Sequence, residues 1–384
     1  MSDSLPQEMI DLIIDNLRGE PKTLKSCSIV SKSWAYRTRK HLFNHVVFRP
    51  SGPPIGQWKE TFPDPTISPA HNTRTLSIYF PKLIAAAEKD TLLNFCCVTR
   101  LDMDTDFWYD QKVSLVPLHG FSPILKSLSL TFDRLPRSEV FDLICSFPLL
   151  EDLRLACYGG RRVIEMWEAP SISPRLTGAL QLRTGGGMQF VLQRLLYLPN
   201  GIHFRKIAVQ WIVLPDLSST VDLVSRCATT LKSLKIANHL EGSFLSRTFR
   251  PIDNSPLCTD ESRTTSLDLS RVGSLEKIAF ICKCPSAEWV LATLPTIETK
   301  SLRQISLVIP HDVIVKALDA ESTRRGWLDL DRMLVQTWTS RSIRPRLMYE
   351  RILEERDLGK DVARLLPESM ERGTVDVLKY NGHR

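Results

Sequence analysis

Residues 231–236 read LKSLKI, and residues 125–130 read LKSLSL. Both follow one pattern, apolar-x-x-apolar-x-apolar, whose last two apolar positions alternate as on one face of a strand. The pattern returns at Leu150/Leu153/Leu155, Phe204/Ile207/Val209, Leu275/Ile278/Phe280 and Leu302/Ile305/Leu307, with weaker copies at Leu76/Ile78, Val98/Leu101/Met103 and Leu180/Leu182. Taking the second apolar position as a marker gives 76, 101, 128, 153, 180, 207, 234, 278 and 305. Successive markers lie 25, 27, 25, 27, 27, 27, 44 and 27 residues apart. Spacing this regular marks an internal repeat.

Helical stretches precede several of these strands, at residues 139–147, 189–196, 220–228 and 287–294. One strand and one helix per 25–27 residues resembles the leucine-rich repeat. That resemblance implies an α/β solenoid with parallel strands over residues 73–349, in which each repeat buries its apolar face on the next. One position departs from the family pattern. The Asn or Cys normally found three residues after the last leucine is replaced, for example by Tyr158, Gly185 and Lys283. The 44-residue interval holds a polar insertion, residues 238–266, rich in Ser, Thr and Pro, which reads as a long loop. Further on, residues 327–337 read as a helix, 347–349 as a last strand and 353–366 as a charged helix. Residues 350–384 are expected to cap the open edge.

The beginning of the chain obeys a different period. Ile10, Ile13, Ile14 and Leu17 recur at i, i+3, i+4 and i+7, one face of a helix. Ser4 and Gln7 suit its cap, and Gly19 with Pro21 ends it. A second helix carries Leu24 and Cys27, and Ser31 caps a third that carries Trp34. Three short helices cannot hide Leu5, Pro6, Ile13, Leu17, Val30 and Trp34 together. The exposed remainder is a targeting signal, a core face packed on the rest of the chain, or a surface for a partner. Asp3, Glu8, Asp11 and Asp15 argue against a signal. Six prolines with Gly52 and Gly56 between residues 50 and 69 predict a stiff tether, 49–72, which weakens the core-face alternative.

The order Leu5-Pro6-x-Glu8, an isoleucine helix, Leu24 and then Ile29-Val30-Ser31-Lys32-Ser33-Trp34 resembles an F-box over residues 4–48. The 18–23 connection lacks the acidic pair often found there. The resemblance implies docking on the Skp adaptor of a cullin-based ubiquitin ligase, through Leu5, Pro6, Ile10, Ile13, Leu17, Leu24, Val30 and Trp34 as adaptor-facing or supporting residues. Fungal F-box families carry degenerate leucine-rich repeats downstream, and this chain is similar in its whole layout. The expected fold class is therefore α/β, a three-helix F-box followed by a leucine-rich-repeat-like solenoid.

Composition sets further limits. The net charge of +7 over 384 residues is too thin to imply nucleic acid without a clustered basic face. No window is apolar enough to cross a membrane, so an intracellular location, cytoplasmic or nuclear, is expected. The nine cysteines are scattered, with no C-x-x-C pair, and read as buried free thiols. Cys282 and Cys284 have no second ligand pair for zinc. His41 and His45 stand i, i+4 apart, yet at a helix end that suits a surface or capping role. Gly185–Gly187 offers either backbone amides to an anion or a tight turn. Asp102, Asp104 and Asp106 suit a solvated strand end. No catalytic constellation, metal site or cofactor motif is recognised.

The sequence thus points to a non-enzymatic, substrate-recruiting ligase subunit with an unidentified protein target. A repeat scaffold acting outside any ligase is the alternative. Outward positions of the strands hold Arg154, Arg183, Lys206, Lys235 and Lys277, with Arg161 and Arg162 at a neighbouring strand exit. Asp152 is the near acid. These seven basic residues are the expected target-binding set, for an acidic or phosphorylated segment.

Overall fold

The computed structural model describes residues 5–49, 52, 55–79, 89–104, 115–132, 137–157, 172–184, 188–211, 215–238, 267–283, 285–338, 343, 345–350 and 358–380. Two compact units are present. The first runs to Ala156 and includes later stretches ending at Leu176 and spanning Leu198–Asn200; the second includes Thr177–Tyr197 and the chain from Gly201 onward.

The first unit begins with helices α1 (Gln7–Asn16), α2 (Pro21–Cys27) and α3 (Lys32–Leu42). Strands β1 (His45–Phe48), β2 (Thr75–Tyr79), β3 (Arg100–Asp104), β4 (Ser127–Phe132) and β5 (Asp152–Cys157) follow in sequence order. Helices α4 (Ile55–Thr61), α5 (Lys89–Leu93) and α6 (Arg137–Cys145) stand between them. Registered pairs are parallel: Val46 faces Leu76, Leu76 faces Leu101, and Leu101 faces Leu128.

The second unit repeats the scheme. It holds β6 (Ala179–Thr184), α7 (Met188–Leu196), β7 (Lys206–Trp211), α8 (Pro215–Arg226), β8 (Ser233–Asn238), β9 (Lys277–Cys282), α9 (Glu288–Thr293) and β10 (Gln304–Pro310). Then come α10 (His311–Asp319), α11 (Glu321–Met333), β11 (Arg346–Glu350), α12 (Leu358–Leu365), α13 (Pro367–Glu371) and β12 (Asp376–Tyr380). All six neighbouring pairs here are parallel. The α/β class with parallel strands holds.

All nine marker residues lie in strands, and none is more than 1% exposed. Their register is exact across neighbours: Leu180, Ile207, Leu234, Ile278 and Ile305 form one row. Such a row is what a fixed repeat length produces, because each turn returns the chain to the same height. A recurring backbone bond holds that height. At the start of β2–β5 and β7–β10 two consecutive amides donate to a single carbonyl of the preceding turn. Arg74 and Thr75 donate to Asn44, Lys126 and Ser127 to Thr99, Lys232 and Ser233 to Arg205, and Glu276 and Lys277 to Lys232.

The missing asparagine ladder has a substitute at the opposite end of the strand. Thr230, Ser274 and Ser301 each precede the first apolar residue of a repeat. Thr230 Oγ1 donates to the Phe204 carbonyl at 3.2 Å, and Ser274 Oγ to Ala228 and Leu231 at 3.0 Å each. Ser301 Oγ reaches Gly273 at 2.9 Å and Leu275 at 3.0 Å. In the first unit Ser122 Oγ bonds Val98 and Cys96 in the same manner, at 2.7 and 3.0 Å. A hydroxyl in a turn satisfies carbonyls that the turn would otherwise bury unpaired.

Several expectations are corrected. Residues 49–72 are not an extended tether. Ile55 of α4 is buried, and the Trp58 ring packs against Phe43, Phe48, Phe62 and Phe95 at centroid distances of 4.9–6.0 Å, with its indole N–H on Ser68 Oγ at 3.2 Å. Burial of aromatic surface outweighs the stiffness that the prolines confer. Residues 350–384 do not merely cap the sheet, since β12 pairs with β11 and extends it. β1 and α10 were equally unforeseen. α1 starts without a side-chain cap; Pro6 holds the N-cap position, and Gln7 bonds Asp11 instead. The insertion 239–266 and residues 158–171 and 185–187 lie outside the described residues.

The end of the second unit is tied by a buried carboxylate. Asp331, 1% exposed, accepts from the amides of Glu368 at 2.7 Å and Ser369 at 2.9 Å, capping α13. On the same helix Trp327 is fully buried and donates to the Pro285 carbonyl. Asp331→Ala leaves two amides without acceptors and is expected to cost about 2–3 kcal/mol in urea unfolding, with Asp331→Asn costing less because one acceptor survives.

Candidate functional site

The α1–α3 region splits its apolar residues into two sets. Ile10, Ile14 and Leu24 form a small core, with Leu17, Trp34 and Leu42 packed partly against it. A second apolar stripe on α1 runs along Leu5, Met9, Leu12 and Ile13, at i, i+4, i+7 and i+8, and these residues are 38–56% exposed. Ile29 and Val30, in the turn before α3, are exposed at 85% and 63%, and Tyr36 at 77%. Pro6 is exposed as well.

The expected adaptor set is thus divided by the fold. Leu5, Pro6, Ile13 and Val30 are surface residues, Leu17 and Trp34 are half-buried, and Ile10 and Leu24 belong to the core beneath. Ile13 does not share the core face with Ile10 and Ile14. The tilt of the helix places Ile14 inward at 0% exposure and turns Ile13 out. Met9, Leu12 and Ile29 were missed, although the i, i+4, i+7 spacing of the second stripe was there to be read.

An ionic clamp holds α1 on α3. Asp15 accepts from both Nε of Arg37, at 2.7 Å, and the Arg37 terminal nitrogen, and from His41 Nε2 at 2.7 Å. Asp11 lies 3.9 Å from Arg37. The Arg37 hydrogen bonds, and then that of His41, hold the Asp15 carboxyl far below the usual carboxylate range. Ser31 caps α3 by accepting from the Trp34 amide at 3.3 Å. His41 and His45 have separate partners, Asp15 and Ser77, the latter at 2.9 Å.

On the strands the outward basic residues fall in different rows. Arg154 is exposed on β5 of the first unit. In the second, Lys206 and Lys277 share the first row, separated by Ser233. Lys235 sits in the next outward row between Ala208 and Ala279, and Arg183 lies level with Gln210 one row further. The fold therefore does not gather the expected set into one cluster. Arg161 and Arg162 lie outside the described residues.

A different cluster was missed. Arg205, Lys232 and Arg303 occupy the position just before the strand in three repeats, beside Lys206 and Lys277. All five are exposed. The sequence signal was present, since each of these residues stands two positions before a marker, directly after the first apolar residue of its repeat.

Among the described residues no group of three or more His, Cys, Asp or Glu side chains is arranged to hold a metal ion. Cys27, Cys157, Cys227 and Cys282 are buried free thiols. Burial pushes the Cys227 thiol up to about 11 and that of Cys145 up to about 12, which makes both poor nucleophiles. A cavity of about 570 Å³ lies against α7 and α8, with Gln193, Tyr197, Asp222, Ser225, Arg226 and Arg271 in its wall. That wall has one carboxylate and no histidine or cysteine. No described helix is long and apolar enough to cross a membrane. No family model matches the chain, and none of the curated proteins searched matches its sequence.

Asp15 fixes a pH dependence. Its carboxyl is lower in the folded protein than the ordinary 3.8, so its contribution is complete above about pH 4 and is lost as pH falls toward the folded value. Asp15 is 38% exposed, so solvent screening limits the effect to about 1 kcal/mol or less. Urea unfolding followed from pH 6 to pH 2, roughly the window set by that shift, is expected to show a smaller acid loss in Asp15→Asn than in the parent chain.

Proposed function

We propose that this protein is a substrate-recruiting subunit of a cullin-based ubiquitin ligase, with residues 4–48 acting as an F-box on a Skp-type adaptor. The repeat region holds a protein target, and the chain itself performs no covalent chemistry. Its contribution to the reaction is proximity: a target held near a ubiquitin-charged enzyme meets it at raised effective concentration.

The observation that supports this reading is the second apolar stripe on α1. Leu5, Met9, Leu12 and Ile13, with Ile29 and Val30 before α3, leave exposed apolar side chains on a helical region whose own core is already filled. Covering one such side chain fully is worth roughly 1.5–3 kcal/mol, so a partner helix laid across several of them would bind firmly. The ionic clamp through Asp15 keeps the stripe in place on α3. Chain order supports the adaptor reading further, because Leu5-Pro6, the α1 isoleucines, Leu24 and Trp34 stand in F-box sequence.

Leu5→Ala with Pro6→Ala should weaken capture of a purified Skp-type adaptor by about tenfold or more, since each 1.4 kcal/mol lost is a factor of ten. Leu12→Asp should abolish it, because a carboxylate would be buried unpaired. Circular dichroism melting of both variants should match the parent, as neither position is in the core. Full adaptor binding by Leu12→Asp would remove this reading.

A further inference from the structure

The leading ends of β7–β10 carry a band of positive charge. In the row just before the strands stand Arg205, Lys232, Glu276 and Arg303, placed level with one another by the amide bonds of Lys232 to Arg205, Glu276 to Lys232 and Arg303 to Glu276, at 2.8–2.9 Å. The first outward row adds Lys206 and Lys277, aligned through Ser233. Neighbouring parallel strands lie about 4.8 Å apart, so the band is roughly 14 Å wide. It holds five exposed cations and one carboxylate.

That carboxylate does not cancel the band. Glu276 accepts from Lys232 Nζ at 2.9 Å, and the fields of Arg303 and Lys277 add to that bond in holding its carboxyl below the usual range. Turns leading into β9 and β10 contribute Asp268 and Glu298 against Arg271 and Lys300, which leaves the balance unchanged. Lys206, Arg205, Lys277 and Arg303 have no ion pair among the described residues that would absorb their charge.

We infer that this band, with Arg205, Lys206, Lys232, Lys277 and Arg303 as its cations, is the docking surface for an extended acidic peptide segment. The inference rests on the recruiting role above only in calling the bound segment a ligase target. Charge complementarity sets the sign of the partner. The shape of the surface selects a peptide. Alongside the cations, the outward positions of the first row are Ala179, Ser233 and Gln304, and in the second row Gln181, Ala208, Ala279 and Ser306 flank Lys235, so a backbone can lie close over the small residues. Ser233 and Gln304 offer side-chain hydrogen bonds to it. These two rows present no aromatic side chain across β6–β10, so the stacking platform that single-stranded nucleic acid uses is missing there.

The test uses the full chain and fluorescence anisotropy with three probes of equal nominal charge: a labelled oligo-aspartate peptide, a phosphoserine peptide and a thymidine oligonucleotide. Both peptides are expected to bind in low salt and to weaken steeply as salt rises. Lys206→Glu with Lys277→Glu and Arg303→Glu should reduce peptide binding by about tenfold or more, whereas Arg154→Gln with Arg183→Gln, outside these two rows, should change it by less than about twofold. Preference for the phosphopeptide over oligo-aspartate would assign a phosphorylated segment, and the reverse an acidic one; either supports the surface. Should the charge-reversed chain melt early, Lys206→Gln with Lys277→Gln replaces it, with about a threefold loss expected. Tighter binding of the oligonucleotide, or peptide binding within twofold of the parent in a folded band variant, overturns the inference. Adaptor capture by the parent chain separates the two readings: no adaptor capture defeats the ligase role, while no binding of either peptide by the parent chain defeats the band alone.

Discussion

Two consecutive amides on one carbonyl, repeated at the start of strand after strand, set the geometry of this protein. A parallel ladder leaves the residue before each strand with an amide pointing at the previous turn, and a single carbonyl there takes two donors. The bond fixes the height at which every turn begins. With the height fixed, the marker residues must stack, and Leu180, Ile207, Leu234, Ile278 and Ile305 fall into one buried row. A turn shorter or longer than its neighbours can bulge on its far side without disturbing that row. This is why intervals of 25, 27 and even 44 residues coexist in one chain.

The same constraint creates the basic band. Residues at the start of a strand are pinned beside their counterparts above and below, about 4.8 Å away, so any charge placed there in successive repeats is forced into company. Lys232 and Glu276 respond by pairing, as do Lys126 and Glu151 in the first unit at 3.5 Å. Arg205, Lys206, Lys277 and Arg303 form no ion pair of this kind among the described residues, and like charges held together in this way raise the local potential. Thr230, Ser274 and Ser301 do the complementary work two residues earlier, satisfying turn carbonyls with hydroxyls.

In the helical region the limit is size. Three helices of 10, 7 and 11 residues can enclose only Ile10, Ile14 and Leu24, with Leu17, Trp34 and Leu42 at the margin. Every further apolar side chain on α1 is left outside, which is how a helix with apolar residues on two sides comes to present one of them. The segment that follows shows the opposite outcome. Trp58 and Ile55 find Phe43, Phe48 and Phe95 within reach, and a proline-rich stretch that reads as a tether becomes packed structure.

What the sequence alone determined is the periodic part. Strand positions, their parallel class and their buried residues followed from apolar alternation at near-constant spacing, because those features are local and repeat. The Ser31 cap and the division of the chain into a helical start and a repeated remainder were legible for the same reason. Only tertiary structure decided which apolar face of α1 turns inward, since Ile13 and Ile14 are equally apolar and differ only in the side of the helix that meets α3. It also decided that β1 and β12 join strands, that Asp331 reaches forward 37 residues to cap α13, and that Arg205, Lys206, Lys277 and Arg303 form one surface while Arg183 lies rows away from it. Each of these depends on register between distant segments, and register is set by hydrogen bonds that no local pattern encodes.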